Sequence, residues 1–419
     1  MFTHRPLSGG GGGGAGARGG IVRAVNAVMV EDDHGSFNPL GVTLFPAWWL
    51  RKNDPSRLTR NLAFARECGM DYQRILCEVG GASWQDRTVD PRASDYVSIL
   101  RDVVDEAWDV HHLRTELTLF GGGTGADPSM VLDKVLQAVD GRHHKVMNGE
   151  GVNENNMDMA AMKPIVERYV SSLLPVPVAY ASTDNPSIAD QLKVATCYTV
   201  HLDRTLGEMQ GEGAPLGERA IRQAWDVKEY RKPGFHNEPI GPQSSVQETS
   251  DPRILAMLRW NGIICGCVGF VFHTGGGIRC GGAADVARGR SANLYDVPRF
   301  AEIADALRAL DGVVPVAAST WRKFNLNWAG APWSVDSIWA DQSKQQGCNR
   351  LYSSDGGSAV VSTVVGVRQH VTLTALRPLG NVVVYDPATG RSLISQRCNA
   401  GDAIRIEGTS PGYVVVATA

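Results

Sequence analysis

The residues of this sequence that could do chemistry are acids, amides and imidazoles standing where extended runs break off. In residues 232–245, KPGFHNEPIGPQSS, the pair Asn237 and Glu238 ends such a run. The Pro-Ile-Gly-Pro that follows can hold neither strand nor helix, so the Glu238 carboxylate is expected at a strand's mouth. Taken alone, an Asn-Glu-Pro reads as a turn cap or a surface ion pair; its companions change that. Arg74 and Glu78 lie in the run YQRILCEV, Asn148 ends HKVMN with Glu150 just behind it, and Asn153 and Glu154 come next. His201 and His273 close ATCYTVH and CVGFVFH. Two carboxylates facing each other across a cleft suit cleavage of a glycosidic bond. One protonates the leaving oxygen while the other attacks or stabilises the sugar cation. Arg74 and His201 would orient them and tune their charge.

Side chains this far apart in sequence meet only if a repeated architecture gathers them. From residue 40 onward, apolar runs of strand length alternate with helical stretches. Strands are predicted at 40–45, 72–79, 113–120, 144–148, 176–181, 195–201, 232–238 and 267–273. Between them, Ile99, Leu100, Val103, Val104, Ala107 and Trp108 recur at helical spacing. Eight such alternations predict a closed parallel (β/α)8 barrel, whose strand ends converge on one mouth. An open doubly wound sheet would want a Gly-rich nucleotide turn after the first strand, and none follows Phe45. The later GGGTG, 121–125, lacks the partners of a dinucleotide site and reads as an active-site loop or a plain turn.

The flanks divide the chain further. Residues 1–20 include SGGGGGGAGARGG, a flexible tether and not a phosphate loop, since no Gly-Lys-Ser/Thr follows. Residues 21–37 read as a lead-in of one or two strands that closes the bottom of the barrel or joins the far domain. The barrel with its lead-in is assigned to 21–340. Residues 341–419 turn to short β-rich runs such as NVVVYD and YVVVAT, a small antiparallel sandwich. Trp321, Trp328, Trp333 and Trp339 read as packing the two domains together, with stacking on sugar rings as the other use.

With 41 Lys and Arg against 44 Asp and Glu in 419 residues, the formal net charge is -3. That offers no electrostatic case for nucleic acid or an anionic membrane, and the partner expected on this ground is uncharged or small. No run approaches the roughly 20 apolar residues of a membrane helix, and the amino terminus lacks the apolar core of a secretory signal. The expected address is cytoplasmic or virion-associated, or outside by a non-classical route. The eight cysteines are scattered and read as reduced, buried thiols. Cys265, Cys267, His273 and Cys280 match no standard zinc spacing, so neither metal nor cofactor is expected.

In the order Arg74, the 148–154 stretch, His201 and Glu238, the chain resembles the clan-A, cellulase-like glycoside hydrolases, and among them those with a small C-terminal β-sandwich. The resemblance covers roughly residues 35 to 419. It implies a retaining mechanism with Glu238 as nucleophile and a strand-four Glu as general acid/base. The family pattern has an apolar run followed directly by Asn-Glu, whereas here the sequence is VMNGEGVNENN. Glu150 comes one residue late after Asn148; Glu154 follows Asn153 directly but lies six residues beyond the apolar run. Loss of the acid is the third option. Where the family often has a tryptophan on the last strand, this chain has His273, either a substitute sugar contact or a satisfied core histidine. Trp49 and Trp84 are candidates to rim a sugar cleft, with burial in the core as the plainer use. The leading expectation is a glycosidase acting on a poly- or oligosaccharide. The alternative is a catalytically impaired carbohydrate-binding or structural protein, such as a phage fibre or surface component.

Overall fold

In the computed structural model the described residues are 19–26, 29–154, 157–183, 193–201, 232–245, 248–265, 267–282, 285, 287–314, 322–324, 332–337, 351–353, 359–365, 370–407 and 412–418. Apart from Gly19 and Gly20, the expected tether lies outside them. The lead-in forms a three-stranded antiparallel sheet of β1 (Arg23–Asn26), β2 (Met29–Asp32) and β3 (Gly35–Phe37). Its Val22, Met29, Val30 and Phe37 share a buried cluster with Tyr72, Met147, Ala179, Cys197 and Phe235 from the lower barrel. The sheet therefore closes the barrel's bottom, the first of the two roles expected for it. A buried Arg114–Asp32 pair at 2.9 Å ties the two together.

Eight strands follow: β4 (Leu40–Thr43), β5 (Tyr72–Leu76), β6 (Arg114–Phe120), β7 (Val146–Val152), β8 (Val178–Thr183), β9 (Tyr198–Val200), β10 (Gly234–His236) and β11 (Cys267–Phe272). They pair in parallel in chain order, and β11 returns to β4 to close the ring. β5, β6 and β7 are buried at every position, as strands covered by helices outside and by packed side chains inside must be. Large residues interlock with glycines across the interior. A Cβ on Gly41 would come within 2.4 Å of the Tyr72 ring, and one on Gly269 within 2.2 Å of the Phe235 ring.

Among the described residues the helices around the ring are α1 (Ala47–Asn53), α2 (Pro55–Glu67), α3 (Tyr96–Asp105), α4 (Pro128–Val139), α5 (Met159–Leu173), α6 (Pro252–Cys265), α7 (Gly275–Ile278) and α8 (Phe300–Arg308). Their starts follow local rules. Asp54, Asp127 and Asp158 cap α2, α4 and α5 with their carboxylates, and Pro opens the first two.

β7 departs most from expectation. Read as ending at Asn148, it runs on through Val152. Three residues of β6, Thr115 to Leu117, stand opposite four of β7, Val146 to Gly149, so β7 carries one extra residue. The bulge resets the alternation, and the polar Glu150 points inward to partners instead of ending the strand. Gly149 and Gly151 leave room for α5. A Cβ on Gly149 would come within 2.8 Å of the Tyr169 hydroxyl, and one on Gly151 within 2.6 Å of a Val166 methyl.

The carboxyl-terminal part is two antiparallel sheets. One has six strands in the order β12 (Arg322–Phe324), β14 (Leu351–Ser353), β15 (Ala359–Val365), β20 (Gly412–Thr418), β17 (Leu379–Tyr385) and β18 (Ser392–Cys398). The other holds β13 (Trp333–Ser337), β16 (His370–Ala375) and β19 (Ala403–Glu407). β12 and β13, which the sequence grouped with the barrel, pair within these sheets. Trp333 is correspondingly buried in the sandwich's own core, beside Leu373, Val382 and Ile404, and does not bridge the domains. Trp321, Trp328 and Trp339 lie outside the described residues. The described cysteines, Cys68, Cys77, Cys197, Cys267, Cys280 and Cys398, form no disulfide.

Candidate active site

Arg74 is the hub of the barrel mouth. It rises from β5 with no exposure, and its guanidinium makes three hydrogen bonds and one further ion-pair contact. Nη1 donates to Glu238 Oε1 at 2.7 Å, and Nη2 donates to Glu150 Oε1 at 2.9 Å and to Asn153 Oδ1 at 2.8 Å. Nε lies 3.3 Å from Glu116 Oε1. Burial works against the guanidinium's charge, but Glu150, Glu238 and Glu116 outweigh it and raise its pKa above the ordinary arginine value. The Phe45 ring covers the cation, 5.1 Å from the guanidinium carbon.

His201, just past β9, links two acids. Its Nδ1 is 3.3 Å from Glu154 Oε1 and its Nε2 is 3.7 Å from Glu238 Oε1. One oxygen of each carboxylate and one imidazole nitrogen lie within 4.8 Å of one another. The two acids live in different surroundings. The Glu238 side chain is 4% exposed and held by Arg74, whereas that of Glu154 is 35% exposed. Glu154 also sits on left-handed backbone, φ 54°, with its N–H donating to Ser182 Oγ at 3.0 Å. A non-glycine residue held there is strained by about 1–2 kcal/mol, as happens where a side chain has to be aimed. Asn153 N still donates to Phe120 O at 2.8 Å, which prolongs the β6–β7 ladder by one bond. Thus the Asn153-Glu154 pair directly follows the strand, not six residues beyond it.

Glu150 is placed differently. It has no exposure, and its oxygens take Arg74, Ser182 Oγ at 3.2 Å and Asn237 Nδ2 at 2.7 Å. Asn237 also turns inward, and its same nitrogen donates to Glu116 Oε1 at 2.5 Å.

No family model and no curated protein sequence matches the chain. Solved structures do. A protein described as a glycoside hydrolase superposes with a TM-score of 0.66 at 10% identity, covering 95% of this chain and 97% of its own. A glycoside hydrolase family 5 structure from Bacteroides vulgatus ATCC 8482 gives 0.63 at 10% identity, covering 94% and 92%. The fold is that of a glycoside hydrolase. Since both matches span nearly the whole chain, the likeness takes in the sandwich as well as the barrel, and the resemblance read from Arg74 to Glu238 holds at the level of architecture.

On this glycoside hydrolase fold, Arg74, Glu150, Asn153, Glu154, His201, Asn237 and Glu238 meet at or just under the mouth. Four other candidates stand apart. Asn148 is buried inside β7 with neither amide atom hydrogen-bonded. His273 has its ring nitrogens at Thr43 Oγ1, 2.9 Å, and Ser245 Oγ, 3.2 Å, in the manner of a satisfied core histidine. Trp49 packs half-buried on α1 against the barrel core. Trp84 lies at the mouth's edge, with Phe45 on one side at 6.2 Å and the Arg87 guanidinium over its ring at 4.3 Å. Glu78 ties down the 121–125 loop through the N–H groups of Gly122 and Thr124. Among the described residues, the thiols of Cys267 and Cys280 form no metal-ligand group with His273.

Reading strand ends missed three residues: Glu116, Ser182 and Phe45. A signal for Glu116 existed. In RTELTLF the polar Arg114, Glu116 and Thr118 share one phase and Leu117 and Leu119 the other, so a carboxyl in mid-strand points into the ring.

Proposed function

We propose that the protein is a retaining glycoside hydrolase that cleaves O-glycosidic bonds of a poly- or oligosaccharide, with Glu238 as nucleophile and Glu154 as general acid/base. The observation that carries this is the approach of the two carboxylates, an oxygen of one within 4.8 Å of an oxygen of the other at the barrel mouth. Retaining pairs stand about 5–5.5 Å apart and inverting pairs about 6.5–9.5 Å, to make room for a water. The same closeness counts against a binding protein that has lost its acid.

The roles divide by environment. Glu238, ion-paired to Arg74, is suited to be the anion that attacks the anomeric carbon. Glu154, exposed enough to meet a leaving group, donates its proton to the glycosidic oxygen, and the alcohol departs as the Glu238 ester forms. In the second half Glu154 takes a proton from water, the hydroxyl attacks the anomeric carbon, and Glu238 is released as carboxylate. His201 lies between the two and holds their orientation. Glu150, with both oxygens committed to Arg74, Ser182 and Asn237, suits a supporting role better than acid catalysis.

The test is a panel of aryl glycosides and polysaccharides run on wild type, Glu238→Gln and Glu154→Ala. Glu238→Gln should lose about four orders of magnitude or more in kcat/KM with its fold intact. Glu154→Ala should keep more activity on substrates with good leaving groups and regain rate with added azide. NMR of the first-formed product should show retention. Full activity in Glu238→Gln, or an inverted product, defeats the proposal.

A further inference from the structure

Beneath the reacting pair lie two carboxyls, Glu116 and Glu150, that do no bond-making in the mechanism and share Arg74 with Glu238. Glu116 and Glu150 have no exposure, and Glu238 is 3% exposed. All three are gathered on the single guanidinium of Arg74. Three anions on one cation, out of reach of water, would leave two uncompensated buried charges, and such a group relieves itself by keeping a proton. Which member keeps it follows from the hydrogen bonds. Glu150 accepts from Arg74, Ser182 and Asn237 across both oxygens. Glu238 takes the short contact with Nη1. Glu116 accepts only through Oε1, from Asn237, with Arg74 Nε alongside, and its Oε2 has no partner.

The other groups facing Glu116 add no positive charge. From β5 it meets Tyr72 besides Arg74, from α5 Tyr169, and ahead of β9 Cys197. All three are fully buried and neutral, their pKa values pushed well above the ordinary range by burial first and by Glu116 among their neighbours. From β7 it meets Glu150 and the neutral side chain of Asn148, which lowers it. Burial raises the Glu116 carboxyl first; Arg74 pulls it back, Glu150 raises it again, and it settles at about 8.

We propose that Glu116 is a positioning residue that works as the neutral acid: its uncharged carboxyl takes the Nε edge of Arg74 and one hydrogen of Asn237, leaving both outer guanidinium nitrogens to Glu150, Asn153 and Glu238. Ionised, it would compete for Arg74 and Asn237 and loosen the grip on Glu238. The effect on turnover rests on the glycosidase reading above; the protonation does not.

The test uses the full chain as wild type, Glu116→Gln and Glu116→Ala. Infrared difference spectra against pH should show the carbonyl band of a protonated carboxyl at neutral pH, fading with a midpoint near 8 and missing from Glu116→Gln. A wild type without the band, or a band that survives the substitution, overturns the assignment. Folding raises this carboxyl from the ordinary glutamate value of 4.5, so between the two values the native chain holds a proton that the unfolded chain has released. Its share of stability is full below 4.5 and is lost as pH climbs through 8. The wild-type melting midpoint should therefore fall over that window more steeply than that of Glu116→Gln; equal slopes count against the proposal. In kinetics, Glu116→Gln should restore most of a roughly hundredfold loss in kcat/KM seen in Glu116→Ala, and should carry its activity to higher pH than wild type. A Gln variant as weak as Ala at neutral pH overturns the positioning role. The infrared and melting measurements need no turnover, so an inactive wild type would refute the glycosidase reading while these two still decide on Glu116.

Discussion

Arg74 bears more of the site than either carboxylate proposed to react. One planar cation holds the proposed nucleophile, the asparagine before the proposed acid, and two carboxyls below them. A lysine could not repeat that, since an ammonium is a point charge without the guanidinium's fork. Arg74→Met should cost about 3–5 kcal/mol at neutral pH, because it strands buried carboxylates without their counter-ion. The loss should shrink in acid, where those carboxyls can take up protons. Urea unfolding at the two pH values checks this, and an equal loss at both would contradict it. At this scale the sequence was legible where a functional residue ends a strand before a breaker, as Glu238 does before Pro239. For Glu116 the signal lay in the alternation along β6 and not at a strand end, where the site was sought; for the choice between Glu150 and Glu154, which a single inserted residue in β7 decides, the sequence was opaque.

Elements show the same division. The eight barrel strands were legible because each is a short apolar run between helical stretches, and the caps at Asp54, Asp127 and Asp158 are local signals. The end of β7 was not. Asn, Gly and Glu read as loop by propensity, and only tertiary partners, Arg74 and Asn237 for Glu150 and α5 for the two glycines, keep that backbone extended. Close approach also fixes the turn after β11. Gly277 lies so near β4 that a Cβ would stand 1.8 Å from the Thr43 carbonyl oxygen. Its N–H bonds within the turn, and its carbonyl receives the N–H of Phe45. Gly277→Ala must therefore push apart two strand ends that frame the mouth, one carrying Phe45 and the other His273. We expect about 1–3 kcal/mol of destabilisation, read as a lower urea midpoint, with a raised KM if Phe45 shifts on Arg74. An unchanged midpoint would mean that the turn yields freely.

Across the whole molecule, the sandwich and barrel share buried surface. Trp260 and Ile263 of α6, with Leu310 and Val314 after α8, form one cluster with Val414 and Val416 of β20. Gly390 meets the carbonyl oxygen of Ala309, and Arg253 lies over the Tyr413 ring at 5.7 Å. α6 is thus covered by strands on one side and by the sandwich on another, so the two parts should unfold together. Calorimetry should give one transition, and two well-separated peaks would speak for independent domains. Trp260→Ala, which empties a fully buried indole, should lower that transition by the equivalent of about 3–5 kcal/mol. The small sheet under the barrel has a consequence of its own. With Phe37 and its neighbours stoppering the floor, the ring is a cup and not a tube, and under the proposed function a saccharide lying across the rim would cork it. Protons inside then come and go past the sugar, so a tight ligand should make the interior deaf to a sudden change of acidity for as long as it stays bound. A pH jump followed by fast infrared spectroscopy, with and without a slow-leaving inhibitor, would hear the difference.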